Sequence, residues 1–326
     1  MRALIQTSYG EADSLRVGEV PVPVPTKAHV LVEVRAASVN AADVFMMRGV
    51  PRLVRLGNGL RRPRKTLVGL DLAGVVAAVG PEVTKWKVGD AVFGQGSATF
   101  AEFSLALEGQ LAALPEGVCF EHAATLPVAG VTAIRALAVA DVKPGERVVV
   151  TGAAGGVGQF AAQLAVAQGA EVIAVCSGRN VERVRGLGVD KVLDYETEDP
   201  LATTEPYDHV LDNAGGIRIK DWRRVVRRGG TILPNSGVRG PDGGAIRRVL
   251  KAQWHRLAAP QRVRTFYANV TAEALEELGA HLAAGRVSPL VDTMFTLDHA
   301  PEALARVGTH HARGKVVVTM GGRVGP

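Results

Sequence analysis

A glycine-rich segment in the middle of the chain has the residue types and spacing that suit binding of a phosphate group. It is Thr151-Gly152-Ala153-Ala154-Gly155-Gly156-Val157-Gly158, between an apolar run (148–150) and a helical pattern (160–168). Glycines let the backbone turn sharply and approach a pyrophosphate, and amides at a helix N-terminus meet its charge. Glycine-rich turns are common, so the flanking strand and helix make this motif specific. We predict dinucleotide contacts at Gly152, Ala154, Gly155, Gly156 and Val157.

The residues after the next predicted strand indicate which dinucleotide is bound. In NAD enzymes an Asp or Glu usually ends this strand and binds the ribose hydroxyls. Here the segment is Val175-Cys176-Ser177-Gly178-Arg179-Asn180, and the first acid is Glu182. A hydroxyl and a guanidinium suit a 2′-phosphate, because Arg offers forked, charge-assisted donors. We predict NADPH with Ser177 and Arg179 at its 2′-phosphate; the alternative is that Arg179 is only a solvated loop residue.

Two patterns of strand-forming residues divide the chain. Residues 1–120 contain short valine-rich runs bounded by glycine and proline, which predicts a mostly antiparallel, partly barrel-like domain. A helical, alanine-rich segment (122–140) follows. From residue 147, apolar runs alternate with helical segments, which predicts an α/β fold with a doubly wound parallel sheet. Its predicted strands lie near 148–150, 171–175, 191–193, 209–211, 231–233 and 263–267.

The chain is predicted to return to its first domain near the C-terminus. A helix with apolar spacing follows Thr271, and 315–319 is again strand-like. A length of 326 residues fits two domains. The predicted boundaries are 1–122 with 268–326 for the catalytic or substrate domain, and 123–267 for the dinucleotide-binding domain.

The charge distribution argues against a nucleic-acid partner. The net charge is +6, and no acid occurs between Asp43 and Asp71. The basic residues of this loop are Arg48, Arg52, Arg55, Arg61, Arg62, Arg64 and Lys65. A nucleic-acid face gathers basic residues from several elements, whereas here one loop carries them. We predict a solvated or substrate-covering loop.

Composition also bears on location. The chain has no apolar run of about 18 residues, so no membrane span is predicted. Its N-terminal residues are strand-like and lack the long apolar core of a signal peptide. Two isolated cysteines, Cys119 and Cys176, fit a reducing cytoplasm and argue against disulfides or a cysteine-built zinc site.

Beyond the phosphate segment, several motifs are spread over nearly the whole length of the chain. They are Val39-Asn40-Ala41-Ala42-Asp43, Gly69-Leu70-Asp71-Leu72-Ala73-Gly74, Gly89-Asp90-Ala91-Val92-Phe93-Gly94, Leu126-Pro127-Val128-Ala129-Gly130, Leu211-Asp212-Asn213-Ala214-Gly215-Gly216 and Ala312-Arg313-Gly314-Lys315-Val316-Val317. With these motifs the chain resembles the zinc-independent, quinone oxidoreductase-like (zeta-crystallin-like) branch of the medium-chain dehydrogenase/reductase superfamily. The resemblance implies a Rossmann sheet, a discontinuous GroES-like catalytic domain and a homodimer.

The resemblance also implies roles for individual residues. It places Asn40 and Thr132 near the nicotinamide and Lys315 near the cleft. Tyr195 falls beside the adenosine phosphate, and Asn213 and Ala214 fall along the coenzyme. Structural roles are open for four of them: Asn40 capping a turn, Thr132 starting a helix, Tyr195 packing on the surface, and Lys315 as a solvated strand end.

A catalytic metal is not expected. Zinc-dependent relatives carry a Cys near the position of Asn40 and a His-Glu pair just after the glycine that matches Gly69. This chain has Leu70-Asp71 there, and the apolar side chain of Leu70 cannot ligate a metal. The four clustered cysteines of the structural zinc lobe are absent as well.

Without a metal that stabilises an alkoxide, the natural chemistry is hydride delivery to an electron-poor carbon of a quinone or an α,β-unsaturated carbonyl compound. Asn40 is the preferred hydrogen-bond donor. Asp43 is a candidate proton source, with water and the basic loop as alternatives, or it only holds its loop. Pocket-shaping residues are predicted at Phe45, Met46, Met47 and Arg52. Apolar residues suit a flat, hydrophobic acceptor, and the arginines suit an acidic one.

Two other functions remain open. The scaffold could serve a specialised biosynthetic step, including enoyl reduction or a non-redox reaction. The chain could also bind NADPH without turnover.

Overall fold

The valine-rich runs pair into two separate six-stranded sheets in the computed structural model, which describes residues 1–52, 54–64, 66–235, 241–242, 244–258 and 260–321. Lys65 of the basic loop and 322–326 of the predicted first domain lie outside the described residues. In chain order the strands are β1 (Arg2–Gln6), β2 (Leu15–Glu19), β3 (His29–Val39), β4 (Asp71–Val79), β5 (Ala91–Ser97), β6 (Phe103–Ala113), β7 (Arg147–Thr151), β8 (Glu171–Cys176), β9 (Lys191–Asp194), β10 (Tyr207–Asp212), β11 (Val226–Pro234), β12 (Arg262–Val263), β13 (Val291–Thr296) and β14 (Lys315–Thr319).

The α-helices form where apolar residues recur at helical spacing or where a cap starts the chain turning. They are α1 (Ala41–Arg48), α2 (Val54–Asn58), α3 (Phe120–Ala123), α4 (Pro127–Ala140), α5 (Gly156–Ala167), α6 (Val181–Arg185), α7 (Ile219–Trp222), α8 (Ala245–Ala258), α9 (Ala272–Ala283) and α10 (Ala300–Gly308). The longest of them, α4 and α8, have 14 residues each. No helix among the described residues is long and apolar enough to cross a membrane.

One compact unit, here called the barrel unit, comprises Met1–Val131, Asn269–Gly285 and Pro289–Pro326. Its sheet has the order β13-β14-β3-β4-β5-β6, and β3 also pairs with β6, which closes the strands into a barrel. All of these pairs are antiparallel except β13 with β14. Inward-facing side chains of β3, β4, β5 and β14 fill the core; Val32, Leu72, Val92 and Val316 are fully buried.

The other compact unit, here called the parallel-sheet unit, comprises Thr132–Ala268 and Arg286–Ser288. Its sheet has the order β12-β11-β10-β7-β8-β9, and every pair is parallel. Buried side chains such as Val149, Ile173 and Ile232 form its core. The direction of winding reverses between β7 and β10, so their carboxyl ends border the crevice where such sheets bind ligands.

The predicted fold class is confirmed, with differences in detail. The strand expected at 263–267 is only Arg262–Val263, because it lies at the sheet edge and pairs with β11 alone. The helix expected over 122–140 is divided, and Pro127 begins its second part, since proline is favoured at a first helical position. The helix after Thr271 and the strand at 315–319 are confirmed.

Candidate active site

The phosphate turn has the backbone geometry that its sequence predicts. β7 runs straight into Gly152, whose φ of +62° is a left-handed conformation that favours glycine. Gly155 is the N-cap of α5, and the first turn of α5 begins with Gln159 N–H donating to the carbonyl of Gly155 at 3.2 Å. The amides of Gly156, Val157 and Gly158 precede that bond, so they are available to an anion at the helix N-terminus.

Close approach explains the last glycine of the turn. A Cβ atom at Gly158 would overlap the carbonyl group of Gly152, so only glycine lets α5 begin against the end of β7. The residues of the turn therefore fit a dinucleotide pyrophosphate: a tight turn, a helix N-terminus and no side chain in between.

A hydroxyl and a carboxylate join the ends of β7 and β10. Thr151 Oγ1 donates to Asp212 Oδ1 at 2.7 Å and accepts the N–H of Ala214 at 3.0 Å. Asp212 Oδ1 also accepts the N–H of Gly215 at 2.9 Å. Asn213 Nδ2 donates to the carbonyl of Thr151 at 3.2 Å. These bonds fix the predicted coenzyme residues Asn213 and Ala214 at the same sheet edge as the phosphate turn.

A buried ion pair behind this segment was missed from the sequence. Arg248 of α8 pairs with Asp212 Oδ2, and each side chain is 1% exposed. Arg248 also donates to the carbonyl of Gly215 at 3.0 Å, and Trp222 Nε1 donates to Asp212 Oδ2 at 3.1 Å. The acid at the end of a buried strand was a signal for a buried partner. Nothing in the sequence of α8 singles out Arg248 from its other basic residues.

The predicted 2′-phosphate residues lie together after β8. Ser177 is buried, and its Oγ accepts from Asn180 Nδ2 at 2.9 Å. Arg179 is exposed in a short 3₁₀ turn (178–180). Tyr195 follows β9 and is held by its N–H, which donates to the carbonyl of Cys176 at 3.1 Å; its ring is 60% exposed. Ser177, Arg179 and Tyr195 are thus on neighbouring strand ends.

In the barrel unit, Asn40 belongs to a buried polar network. Its Nδ2 donates to Asp71 Oδ2 at 2.8 Å, and its Oδ1 accepts from Lys315 Nζ at 2.6 Å. Ser38 Oγ and Lys315 Nζ reach the same carboxylate oxygen of Asp71 at 3.0 and 3.4 Å. Asp71 Oδ1 accepts the N–H of Val128 at 3.1 Å. The Asn40 amide is therefore fixed in one orientation, and its second N–H group has no partner among the described residues.

Lys315 is not the solvated strand end that we considered as an alternative. It is the first residue of β14 and is 2% exposed. The next residue, Val316, pairs with Val39 of β3. Burial lowers the pKa of Lys315, and the charges of Asp71 and Asp43 oppose that decrease. Burial likewise raises the pKa of Asp71, against the effect of Lys315. Asp71 and Ser38 are further members of the network that were not predicted as site residues.

Asp43 caps α1 and has no exposed surface. Its Oδ2 accepts the N–H of Asn40 at 2.8 Å, whereas its Oδ1 is buried with no hydrogen-bond partner among the described residues. Burial raises the pKa of Asp43 from 3.8 to about 7, and the nearby charge of Asp71 acts in the same direction. The capping bond supports the structural alternative for Asp43, and Asn40 is the N-cap of the same helix.

The predicted pocket residues separate into different environments. Met47 is fully buried in the barrel core. Thr132, which was predicted as a coenzyme residue, lies inside α4 and does not start it. Arg52 is exposed, and Phe45 is partly buried. Met46 lines a cavity of about 470 Å³ in the barrel unit. The remaining lining residues of this cavity are Gln6, His29, Asn58, Leu67, Val68, Gly69, Leu70, Gln95, Gly96, Ser97, Ala98, Leu105, Ala106, Leu107 and Gln110.

This cavity has apolar walls and neutral polar groups. Among the residues described, no Asp, Glu, Lys or Arg lines it. Gln110 Nε2 donates to Gln95 Oε1 at 3.1 Å, where the pairing of β5 with β6 shifts register. Leu70 in its wall directly precedes Asp71 of the polar network in sequence.

Two arginines of the basic loop make contacts within the barrel unit. Arg48 forms a two-pronged ion pair with Glu11, with its closest N–O distance at 2.7 Å. Arg55 lies 4.5 Å from the ring centre of Tyr9 and donates to the carbonyl of Gly49 at 3.0 Å.

Across the part of the chain that the structure describes, no group of three or more His, Cys, Asp or Glu residues could hold a metal ion.

Two family models match the chain and define its class. The model described as "Alcohol dehydrogenase GroES-like domain" matches residues 26–134. The model described as "Zinc-binding dehydrogenase" matches residues 187–318. Together with the barrel and the parallel sheet, they make the chain an oxidoreductase of the medium-chain dehydrogenase/reductase superfamily.

Individual relatives show to which family within this superfamily the chain belongs. The "Chloroplast envelope quinone oxidoreductase homolog" of Arabidopsis thaliana is 33% identical over 98% of both chains. The "NADPH-dependent alkenal/one oxidoreductase, chloroplastic" of the same plant is 30% identical over 98% of this chain and 79% of the relative. The solved quinone oxidoreductase from Coxiella burnetii is 30% identical with a TM-score of 0.86, covering 98% of this chain and 99% of that one. The chain therefore belongs to the quinone oxidoreductase family, which confirms the resemblance predicted from its motifs.

Proposed function

We propose that the chain is an NADPH-dependent oxidoreductase that works without zinc and reduces quinones or α,β-unsaturated carbonyl compounds. The observation that carries this proposal is the buried network of Asn40, Asp71 and Lys315, and the uncharged cavity of the same unit is proposed as the acceptor site. The segment that supplies metal ligands in zinc-dependent relatives here supplies Leu70 to the cavity wall and Asp71 to the network. The names of the relatives, which include quinone and NADPH-dependent alkenal/one oxidoreductases, support the same chemistry.

The coenzyme is proposed to be held by the parallel-sheet unit. The amides of Gly156 and Val157, with Gly152, Ala154 and Gly155 in the turn, would bind the pyrophosphate. Ser177, Arg179 and Tyr195 would bind the 2′-phosphate, and Asn213 and Ala214 would line the nicotinamide half. When bound, NADPH supplies the hydride.

The barrel unit is proposed to supply the hydrogen-bond donor. One of the two N–H groups of the Asn40 amide donates to Asp71, and its Oδ1 accepts from Lys315. The remaining N–H group would donate to an oxygen on which negative charge develops, either of the acceptor or of the nicotinamide amide. The ammonium group of Lys315 on Oδ1 polarises the amide, so the N–H becomes a better donor.

The lining of the cavity favours a neutral acceptor. A volume of about 470 Å³ lies within the range of small-molecule sites. Flat apolar rings suit Met46, Leu70 and Leu105, and carbonyl oxygens suit the amide groups of Gln95 and Gln110. Attraction of an acidic substrate by arginines is not supported by this lining. Solvent is the proposed proton source, because the carboxyl group of Asp43 is fully buried and cannot touch a substrate.

The proposal is tested by NADPH oxidation with a panel of neutral acceptors: 1,4-benzoquinone, 1,2-naphthoquinone, trans-2-hexenal and methyl vinyl ketone. We expect turnover with at least one, unchanged by a chelator and without zinc in the purified protein. The variant Asn40→Ala should lower kcat strongly, and Ala283→Leu on α9, away from the network, should not. Activity that a chelator removes and zinc restores would refute the zinc-free mechanism. Tight NADPH binding with no oxidation of any acceptor would favour a binding protein.

A cytoplasmic homodimer without membrane or nucleic-acid partners also stays a proposal. Both cysteines are free thiols, Cys119 exposed and Cys176 buried, which suits a reducing compartment. Light scattering after gel filtration measures the mass directly, and a monomer would refute the dimer.

A further inference from the structure

The loop after β8, which contains Ser177 and Arg179, has an acidic side chain beside it in the fold. The sequence of this loop contains no acidic residue before Glu182. Asp194 is the last residue of β9, and it lies beside Cys176, the last residue of β8. Its carboxylate points across to the loop after β8: a Cβ atom built on Gly178 would lie 2.5 Å from Asp194 Oδ2. An acid therefore stands next to Ser177 and Arg179 in space while lying 17 residues away from Ser177 in sequence.

The position of this carboxylate is fixed by the backbone. Asp194 Oδ1 accepts the N–H of Glu196 at 3.1 Å, and Tyr195 N–H donates to the carbonyl of Cys176 at 3.1 Å. These bonds leave Oδ2 facing Gly178. The charge of Asp194 also acts on Cys176, the residue before this loop. The pKa of the Cys176 thiol is raised to about 11, first by burial and then by Asp194.

We propose that Asp194 is a specificity-determining residue that reduces the preference for NADPH over NADH. A carboxylate accepts hydrogen bonds from ribose hydroxyls, which is how NAD enzymes recognise the 2′-OH group. The same negative charge repels a 2′-phosphate that Ser177 and Arg179 would bind. The loop thus combines a guanidinium for the phosphate with a carboxylate for the hydroxyl, and the chain accepts both coenzymes. This inference rests on the coenzyme site proposed above.

Gly178 is the residue that allows this arrangement. Any larger residue at this position would force the Asp194 carboxylate away from the loop. Gly178 and Asp194 therefore act on the coenzyme preference together with Ser177 and Arg179.

The test uses two fragments that differ only in the 2′ group, 2′,5′-ADP and 5′-AMP, and measures their binding to the full chain by calorimetry. The variant Asp194→Asn keeps the size of the side chain and an acceptor for the Glu196 N–H. We expect it to bind 2′,5′-ADP about tenfold more tightly, because one charge close to a phosphate is removed. Binding of 5′-AMP should be unchanged or weaker. The gain should shrink at high salt, because exposed charges are screened.

Two further variants control the result. Glu196→Gln removes an exposed acid two residues away that does not face Gly178, and it should change the ratio of the two affinities less than twofold. Gly178→Ala should move the carboxylate and shift the ratio in the same direction as Asp194→Asn. The ratio of kcat/KM for NADPH to that for NADH should follow the ratio of fragment affinities.

The outcomes separate this inference from the proposed function. A chain that binds both fragments, with equal ratios for wild type, Asp194→Asn and Glu196→Gln, would overturn the role of Asp194 and leave the coenzyme site intact. A wild-type chain that binds neither fragment would overturn the coenzyme site itself. A shift of about tenfold confined to Asp194→Asn and Gly178→Ala would support the inference.

Discussion

The buried carboxyl group of Asp43 should make the protein less stable as the pH rises from 5 to 8. Asp43 caps α1 through Oδ2, and its Oδ1 has no partner among the described residues. The neighbouring charges are Asp71, which is unfavourable, and Lys315, which is favourable. Burial is the largest effect, and it raises the pKa to about 7 from 3.8. The folded chain therefore binds a proton at pH values where the unfolded chain has released it.

The sign and the size of the effect follow from this difference. Where the folded state binds more protons than the unfolded state, the free energy of unfolding falls with increasing pH. The loss begins near the unfolded value of 3.8 and is complete above about 7. At about 1.36 kcal/mol for each pKa unit, the full penalty is about 4 kcal/mol, of which about 2–3 kcal/mol develops between pH 5 and pH 8.

The variant Asp43→Asn removes the titration and keeps the cap, because the Asn Oδ1 can still accept the Asn40 N–H. Its amino group then occupies the place of the unpartnered oxygen, which costs about 1–3 kcal/mol at every pH. We therefore expect the stability of the variant relative to wild type to increase by about 2–3 kcal/mol from pH 5 to pH 8. Urea unfolding followed by fluorescence measures this difference.

A matched control is Asp13→Asn, which changes an exposed acid in the same unit and should show no such trend. The reasoning would be refuted if Asp43→Asn and wild type kept a constant difference in stability across this pH range. An increase in wild-type stability relative to the variant with rising pH would show that Asp43 is ionised and stabilising when folded.

Three further perturbations test other parts of the structure. Lys315→Met removes the cation of a buried ion pair and should destabilise the protein by about 3–5 kcal/mol, whereas a surface ion pair would cost less than about 1 kcal/mol in urea unfolding. Gly158→Ala should abolish NADPH binding measured by coenzyme fluorescence, because the new Cβ atom would displace the Gly152 carbonyl; unchanged affinity would contradict the close approach. Trp222→Phe removes one donor to Asp212 and should lower stability by about 1–2 kcal/mol, and a neutral effect would show that the bond is not formed.

The sequence was sufficient for features that depend on local patterns. Buried parallel strands have continuous apolar runs, so β7, β8, β10 and β11 could be located from short runs rich in valine, isoleucine and leucine. The phosphate turn could be predicted because glycine is required there for backbone reasons. The edge strand β12 was predicted too long, since an apolar run does not show how many neighbours a strand has.

Features that depend on long-range contacts could not be predicted from spacing. The resemblance placed Lys315 near the cleft, with a solvated strand end as the alternative, but only the pairing of β14 with β3 brings it against Asn40 and Asp71. Arg248 is one of several basic residues of α8, and its burial against Asp212 depends on how the helix packs. Asp194 ends β9, whereas Ser177 follows β8, so the position of this carboxylate beside the loop depends on strand pairing and could not be predicted from residues 175–180.

Each of the two units contains a buried carboxylate that holds a functional segment, but the units differ in how many carboxyl groups share one cation. In each, one buried carboxylate accepts several hydrogen bonds and holds the side chain or backbone that a ligand would contact: Asp71 holds Asn40, and Asp212 holds the segment after β10. Asp212 is matched by one cation, Arg248, whereas Lys315 serves both Asp71 and Asp43. One carboxyl group in excess must be neutralised by a proton, because an unpaired buried charge is too costly to keep. The pH dependence of stability is therefore expected to arise in the barrel unit, from the carboxyl group of Asp43.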